Sequence, residues 1–494
     1  MKSKRMDSVI VIGGLCVLAF GVAGAVLSRH FVYGEGHSER PIIPLLLFYG
    51  LGWCGFALAT LQVWRRCTDT RVAWLWILGV GVAARLLMSA SGLIQENDCY
   101  RYVLDGEAIL HGVNPFRYSP EQVAEAGEAS FGGSVDAQLI LSRVGYPDIP
   151  TIYPPLAQLA FTVGAWLTPW SWHGQRIVFL LADLGTIAVL VLLLSRLGRP
   201  RHWIVFYAWN PLIIKEIANS AHLESLLSLS LALLVLSCCY WQARPTAARL
   251  VWVALAFSAA ILSKLYPIML APILAVYVWR TARAVRPVLA LGAMCLVAGV
   301  LAYAPFMTVG WPRLTEGLRT FSETWVRNAG IYEVLELATP YARLLTALAV
   351  VLAALVSAYS VLRAKQPLAA MVRAMVWTLL VWFLTLPMAF PWYAIGLLTL
   401  CTLQPRLWAV ILSGMFGLYY MLFYNEYNDV SGVGSVVVKA VEHGVVIGVL
   451  LVESVLLWRG RSLLGLADEA EALDGPAGGG CTPRAARGAA DICQ

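Results

Sequence analysis

Charged residues are scarce in this 494-residue chain: Asp, Glu, Lys and Arg make up 13% of it, against about a quarter in an ordinary soluble domain. Hydrophobic residues make up 59%, and the mean hydropathy is +0.71. Apolar runs of roughly 15 to 22 residues recur from end to end, the length that crosses a hydrocarbon core of about 30 Å. The composition therefore argues against a soluble protein and predicts an all-α, polytopic transmembrane bundle of about 12–14 spans.

Several motifs that mark other classes of protein are also missing from the sequence. There is no P-loop, dinucleotide fingerprint or internal repeat, so no nucleotide site is indicated. The ten cysteines are scattered without metal-ligand spacing, which argues against a disulfide framework and a structural zinc site. The sequence predicts no metal site and no certain cofactor, and it leaves open whether a divalent cation takes part.

The distribution of charge predicts the topology. The formal net charge is +7, but the basic residues lie in short loops beside the apolar runs and do not indicate a nucleic-acid partner. Acids gather in other segments, among them residues 96–148, 316–336 and 426–442. By the positive-inside rule, both termini are expected to be cytoplasmic and the acidic segments external.

The predicted organisation is one transmembrane module, residues 1–460, followed by a disordered cytoplasmic tail, residues 461–494, rich in Ala, Gly, Asp and Glu. Two external loops are large, residues 95–152 and 309–340. The last span is expected at residues 443–458. Between residues 154 and 218 the charges and the number of crossings disagree, so one of the segments 154–170 and 203–218 is expected not to cross fully.

The densest polar cluster is "NDCYRYVLDGEAILHGVNPF", residues 97–116. A helix is expected from Cys99 to His111, capped by Asn97 or Asp98 and stopped by Gly112. At its three- and four-residue spacings one face carries the side chains of Asp98, Arg101, Tyr102 and Asp105. Two interpretations remain open: an ordinary capped surface helix with an Arg101–Asp105 pair, or a carboxylate at the outer membrane surface that takes a proton from a hydroxyl.

Other polar groups interrupt the apolar runs. "NPLIIKEIANSAHLES" (210–225) places Lys215 and His222 between two spans, where charges line a cavity or pair with one another. "SKLYP" (263–267) and "WVRNAGIYE" (325–333) offer Lys264 and Arg327 as cations for an anionic headgroup, with snorkelling and an ordinary loop arginine as the alternatives. "IYPPLAQ" and "FPWYAIG" suit helix starts and an aromatic belt.

Two charges lie deep within apolar runs, Arg85 in the third span and Asp183 in a later one. Isolated charges at membrane depth are costly, so they usually pair. A structural ion pair between Arg85 and Asp183 is therefore expected.

In their order along the chain, "NDCYRYVLDGEAILHGVNPF", "IYPPLAQ", "WNPLIIKEIANSAHLES", "SKLYPIMLAP", "WVRNAGIYE" and "FPWY" resemble the bacterial polyprenyl-phosphate-mannose-dependent α-mannosyltransferases of the GT-C superfamily. The resemblance covers roughly residues 75 to 400 and is densest at 98–116. It implies a GT-C-like fold. It also implies a hexosyltransferase reaction, with inversion, from a polyprenyl-phosphate sugar, mannose by the nearest likeness, to an acceptor glycan or lipoglycan.

The resemblance also implies roles for individual residues. The acid that opens the D-x-Y-R-Y motif, Asp98, corresponds to the residue taken as catalytic in the family. Family members often have a second acid directly before it, where this chain has Asn97 with Glu96 one residue further back, and Leu104 stands where the family usually has Trp. The remaining candidates are the donor-phosphate residues Arg101, Lys264 and Arg327 and the further site residues Tyr102, Asp105, Asn114, Lys215, His222 and Tyr266.

The expected location is the bacterial plasma membrane, with the active site on the extracytoplasmic face in contact with membrane lipids. The alternative function is a transporter or flippase of a lipid-linked sugar, because buried charges would also suit a translocation path. The lack of related halves and the concentration of polar clusters on one face argue against that alternative.

Overall fold

The computed structural model describes residues 7–34, 36–65, 70–127, 131–459 and 461. In these residues the chain is helical, and its one β-type pairing is an isolated bridge between Arg327 and Met388. Within these described ranges, ten helices are long and apolar enough to cross a membrane, so this is a multi-pass membrane protein. The predicted tail, apart from Arg461, lies outside the described residues.

The helices fall into runs separated by the two predicted loops. The first run is α1 (Ser8–Leu27), α2 (Ile42–Arg65) and α3 (Arg71–Ser89). The first loop holds α4 (Asp98–Leu110), α5 (Pro120–Ala126) and α6 (Val135–Leu141), and leads into α7 (Pro155–Leu167). The middle run is α8 (Trp172–Arg196), α9 (Val205–Ala208), α10 (Pro211–Ile213), α11 (Glu224–Ala243), α12 (Ala247–Ser263), α13 (Ala271–Ala282) and α14 (Arg286–Tyr303).

The second loop and the last run complete the bundle. The loop holds α15 (Trp311–Thr324) and α16 (Ile331–Ala338), and the last run is α17 (Ala342–Arg363), α18 (Pro367–Leu384), α19 (Ile395–Cys401), α20 (Leu407–Met415), α21 (Tyr420–Tyr427) and α22 (Ser431–Trp458). Four shorter apolar helical segments, Pro155–Leu167, Ala247–Ser263, Tyr266–Ala282 and Pro391–Cys401, accompany the ten long ones. The count of 12–14 spans stays a prediction, since it depends on which of the four cross.

The ambiguous region between residues 154 and 218 has a clear arrangement. Both ends of α7 lie near α4: Pro154 shares a cavity wall with Asp98, and the Trp170 backbone N–H donates to Glu107 on α4 at 2.6 Å. Residues 201–219 instead run the length of α3, since His202 contacts the Thr70 carbonyl just before α3 and Asn219 accepts from the Ile94 N–H beyond its end. The segment that stays at one end of the bundle is therefore 154–170.

The predicted start of the last span at residue 443 was wrong. Helix α22 begins at Ser431, so Glu442 lies within the helix instead of in an external acidic loop. Valines at positions 433, 436, 437, 438 and 441 make this early part of the helix apolar. Glu442 is fully buried inside the bundle, where it does not meet lipid.

The predicted ion pair between Arg85 and Asp183 is confirmed. Arg85 Nε donates to Asp183, both side chains are fully buried, and Tyr207 donates a second hydrogen bond to the same carboxylate at 2.7 Å. Arg85 also donates to the Ala208 carbonyl at 2.6 Å. The pair therefore joins α3, α8 and α9 at a depth where an unpaired charge would destabilise the fold strongly.

Removing only one partner of this pair is expected to destabilise the protein strongly. Arg85→Leu leaves the Asp183 carboxylate buried and uncompensated, a change that costs about 3–5 kcal/mol in buried pairs. The measurement is the midpoint of thermal unfolding in detergent, followed by fluorescence-detected size exclusion. The double variant Arg85→Leu/Asp183→Leu should recover most of the loss, and equal instability of the two variants would contradict the assignment.

Candidate functional site

One cavity of about 670 Å³ collects segments that are far apart in the sequence. Its wall takes residues from five of the polar or aromatic stretches, and these include Asp98, Tyr153, Lys264, Arg327 and Trp392. Six charged residues line it, the acidic Glu96, Asp98 and Glu426 and the basic Arg101, Lys264 and Arg327. Cavities of this size that combine apolar walls with a few convergent polar groups are the usual form of a ligand site.

Helix α4 aims Asp98 at this cavity. The helix begins at Asp98 and ends at Leu110, one residue earlier at each end than predicted, and the Asn97 side chain makes no capping bond. Asp98 is therefore the first helical residue, and 36% of its side chain is exposed, toward the cavity. The positive end of the helix dipole favours a carboxylate at this position.

Arg101 lines the cavity one turn after Asp98, but much of its guanidinium is engaged by the backbone. Its guanidinium donates to the carbonyls of Gly145, Tyr146 and Ile149 at 3.3, 2.8 and 2.8 Å. An arginine that binds three carbonyls of one short segment has a structural role, because its planar guanidinium can donate to several acceptors at once. Arg101 thus holds the wall segment 145–149 against α4.

Lys264 lies where α12 ends, and it presents its ammonium to the cavity. The ammonium pairs with Glu224, the first residue of α11, and sits 3.8 Å from the centroid of the Tyr393 ring. The Lys264 side chain is 17% exposed, whereas Glu224 is fully buried behind it. One cation is thus held in place with a face left open to a ligand.

Arg327 is brought to the cavity by the second loop. Its backbone N–H donates to the Pro387 carbonyl at 2.9 Å and its carbonyl accepts from Ala389 at 3.2 Å, which ties the loop to the segment after α18. The guanidinium packs over the Phe423 ring at 5.0 Å and donates to Glu426 at 3.2 Å. The second loop therefore supplies a second cation, Arg327, to the cavity wall.

Enclosure raises the pKa of the acids in the first loop. Burial raises the pKa of Glu96 to about 7, despite the nearby charge of Lys215. Burial also raises the pKa of Asp98 above its ordinary value, and the positive charge of His222 offsets part of that rise. Carboxylates with raised pKa values are stronger bases than ordinary ones and are common at functional sites.

Aromatic rings form much of the remaining wall. Tyr146 and Trp325 pack together with ring centroids 3.8 Å apart, and Tyr266 stacks on Trp382 at 3.8 Å. The proline-aromatic segments serve two purposes: Pro155 begins α7, while Tyr153 beside it lines the cavity. The expectation that these segments start helices is confirmed at Pro155, and their place on the cavity wall was not foreseen.

The other predicted site residues divide by position. Tyr102 and Tyr266 line the cavity, whereas Asp105, Asn114, Lys215 and His222 do not. Asp105 accepts bonds from Thr151 and from Gln158, and burial raises its pKa to about 6. Asn114 donates to the Phe306 carbonyl at 2.9 Å, so it fastens the first loop to the end of α14.

Lys215 and His222 form a layer behind the cavity. Lys215 lies 3.5 Å from Glu216 and donates to Tyr420. Its charge is therefore paired inside the bundle and does not face the cavity. His222 reaches Asp98 from behind, with 3.8 Å between its Nδ1 and the carboxylate.

Tyr146 and Glu426 are two of the wall residues to which the sequence did not point. Tyr146 stands in the left-handed region, with φ of 54°, in the irregular segment after α6. The sequence predicts Glu426 only as an acid of an external loop, although its neighbours in "YNEYND" carry the same mixture of aromatic and polar residues as the other wall segments.

Among the described residues, no group of three His, Cys, Asp or Glu side chains is arranged to hold a metal ion. Comparisons of the chain with family models, curated proteins and solved structures find no match. The chemistry of the cavity therefore has to be argued from its own residues.

Arg101→Gln is expected to loosen the wall segment 145–149, because a hydrogen bond from a charged donor contributes about 1.5–3 kcal/mol and three would be weakened. Hydrogen exchange of peptides covering this segment should quicken about tenfold or more, since about 1.4 kcal/mol corresponds to a factor of ten. Arg201→Gln, at the other end of the bundle, is the control and should leave that exchange unchanged. Unchanged exchange in Arg101→Gln would show that the three bonds do not hold the segment.

Proposed function

We propose that the protein is a membrane glycosyltransferase that moves a hexose from a polyprenyl-phosphate carrier to the hydroxyl of an acceptor glycan or lipoglycan. The observation that carries the proposal is the convergence of five separate segments on one cavity that holds a carboxylate, Asp98, and two cations, Lys264 and Arg327. The family resemblance makes mannose the first sugar to test.

The donor phosphate would lie between Lys264 and Arg327. One side of the cavity is apolar and open to its surroundings, with Leu265, Leu386 and the 61%-exposed Ile268, and would receive the isoprenoid tail. As the sugar leaves, its carrier changes from a phosphodiester with one negative charge to a phosphate monoester with two. The two cations would therefore stabilise the transition state more than the bound donor, which is the requirement for catalysis.

Asp98 would act as the general base. The acceptor O–H bond breaks and its proton passes to the Asp98 carboxylate, the oxygen bonds to the anomeric carbon, and the bond from that carbon to the phosphate oxygen breaks. Direct displacement of this kind inverts the configuration. A base near the operating pH works best, and enclosure moves the pKa of Asp98 in that direction.

Two features favour an enzyme over a transporter of the same lipid-linked sugar. The buried charges that would suit a translocation path are paired with one another, Arg85 with Asp183 and Lys215 with Glu216. The cavity lies at the end of the bundle opposite the arginine-rich turns, such as those that begin at Arg244 and at Arg283. By the positive-inside rule, that end is extracytoplasmic, where carrier-linked sugars are used.

Asp98→Asn is expected to lower the rate of transfer from radiolabelled polyprenyl-phosphate mannose by about 10²- to 10⁴-fold, since the amide cannot accept the proton. In the wild-type protein the rate should rise with pH as Asp98 loses its proton, with a midpoint above pH ~4 because its pKa is raised. The assay uses membranes that contain equal amounts of each protein. The control is Asp136→Asn, an exposed acid on α6, which should transfer at the wild-type rate.

Transfer by Asp98→Asn at the full rate would remove Asp98 from the role of base and leave Glu96 as the candidate acid on the wall. No transfer by the wild type with any carrier-linked hexose, together with movement of the labelled lipid across reconstituted liposomes, would favour the transporter.

Lys264→Met is expected to lower kcat/KM for the donor by about 10- to 100-fold, because a charge-assisted hydrogen bond contributes about 1.5–3 kcal/mol. The companion variant Lys264→Met/Glu224→Gln removes the buried acid that the first change leaves unpaired, so a loss of folding and a loss of phosphate binding can be separated. Lys439→Met is the control, since Lys439 pairs with Glu333 away from the cavity wall. An unchanged kcat/KM in both Lys264 variants would mean that the phosphate is bound elsewhere.

A further inference from the structure

His222 lies directly behind the cavity, with an acid at each ring nitrogen. Its Nδ1 is 3.8 Å from Asp98 Oδ2, and its Nε2 is 3.3 Å from Glu216 Oε2. The ring is fully buried and stacks on Trp392, with centroids 4.2 Å apart and planes 14° apart. The three side chains thus form a row that runs from the cavity into the bundle.

The backbone conformation just before His222 places the imidazole in this row. Ala221 has φ of 54°, a left-handed conformation that is unfavourable for a non-glycine residue. The next residue is tied back to the π-helical turn Ile214–Asn219 that follows α10, because the His222 N–H donates to the Glu216 carbonyl at 3.0 Å. Strain kept at one residue beside a candidate site points to a functional constraint on that turn.

The far end of the row is anchored. Tyr420 donates to Glu216 Oε1 at 2.6 Å, and the Lys215 ammonium is 3.5 Å from Oε2. With one oxygen fixed by Tyr420, the other faces His222. A carboxylate in this position fixes the orientation of the imidazole and favours its protonated form.

We propose that His222, held by Glu216, is a positioning residue that keeps the Asp98 carboxylate ionised and directed at the acceptor hydroxyl. The inference rests on the proposed function, because Asp98 is the base of that reaction. His222 does not line the cavity, so in this proposal it acts only through Asp98.

The charges around His222 support this role. Burial alone would lower the pKa of His222, but the contact with Glu216 and the charges of Glu224 and Asp98 raise it. Burial raises the pKa of Asp98, and His222 is the strongest of the charges that lower it again. The titratable or charged side chains near the row, from all elements around it, are Tyr49, Glu96, Arg101, Tyr102, Tyr146, Tyr153, Lys215, Glu224, Lys264, Tyr393, Tyr419 and Tyr420.

The test is the pH profile of kcat/KM for sugar transfer by the wild type, His222→Gln and Glu216→Gln. Without the cation, the pKa of Asp98 rises, so the acidic limb should move to higher pH by about one to three units in His222→Gln. Glu216→Gln keeps the ring and should move the limb the same way by less. At pH above the shifted limb, both variants should approach the wild-type rate, whereas a purely structural defect would lower the rate equally at all pH values.

A second measurement does not depend on activity. Infrared titration of the purified protein can follow the carboxyl band that is absent from Asp98→Asn, and its midpoint should rise in His222→Gln and in Glu216→Gln. His202→Gln, a buried histidine at the other end of the bundle, is the matched control and should leave the midpoint unchanged.

The outcomes separate the two proposals. Band shifts in a protein that transfers no sugar would keep the pairing of His222 with Asp98 and overturn the proposed function. Sugar transfer with no shift in either the band or the acidic limb would overturn the positioning role alone. If His222→Gln does not fold, Glu216→Gln decides the question in the same two measurements.

Discussion

The guanidinium of Arg176 ties together the three parts of the chain on which the candidate site depends. It donates to the carbonyls of Ser89 and Ser91, both at 2.6 Å, and of Asn219, at 2.5 Å. The first two carbonyls lie at the end of α3, where a helix leaves its last carbonyls without partners. Because little water reaches such a position, a buried arginine on α8 satisfies them and at the same time fixes where the first loop begins.

Asn219 completes this junction from the other side. Its amide donates to Ser91 and to the Gly92 carbonyl, at 2.6 and 2.7 Å, and its oxygen accepts from the Ile94 N–H. The junction lies four residues before Asp98 and three residues before His222. The junction holds the segment after α3 and the segment before α11 at one point. It therefore fixes the distance between Asp98 and His222, which follow it on the two segments.

Hydropathy and charge were enough to predict the helical bundle, because every segment in lipid has to satisfy its own backbone and only long apolar helices do so. They failed for the start of the last helix, because the charged residues of "KAVEHGVV" suggested a loop, whereas Glu442 lies within α22 and is buried inside the bundle. At the site, Asp98, Lys264 and Arg327 could be predicted from motif order. The structural use of Arg101 could not, since its partners are backbone carbonyls more than 40 residues away.

Two cations of the cavity wall, and the imidazole behind it, each lie beside an acid. Lys264 pairs with Glu224, Arg327 with Glu426 and His222 with Glu216. Pairing lowers the cost of placing these charges at the edge of a membrane before any substrate binds. In the proposed reaction, an arriving phosphate would compete with a carboxylate for Lys264 and for Arg327, so a singly charged donor would gain little and the doubly charged leaving group would gain more. Under that proposal, the pairing would make the site bind the donor weakly and favour the separation of charge in the transition state.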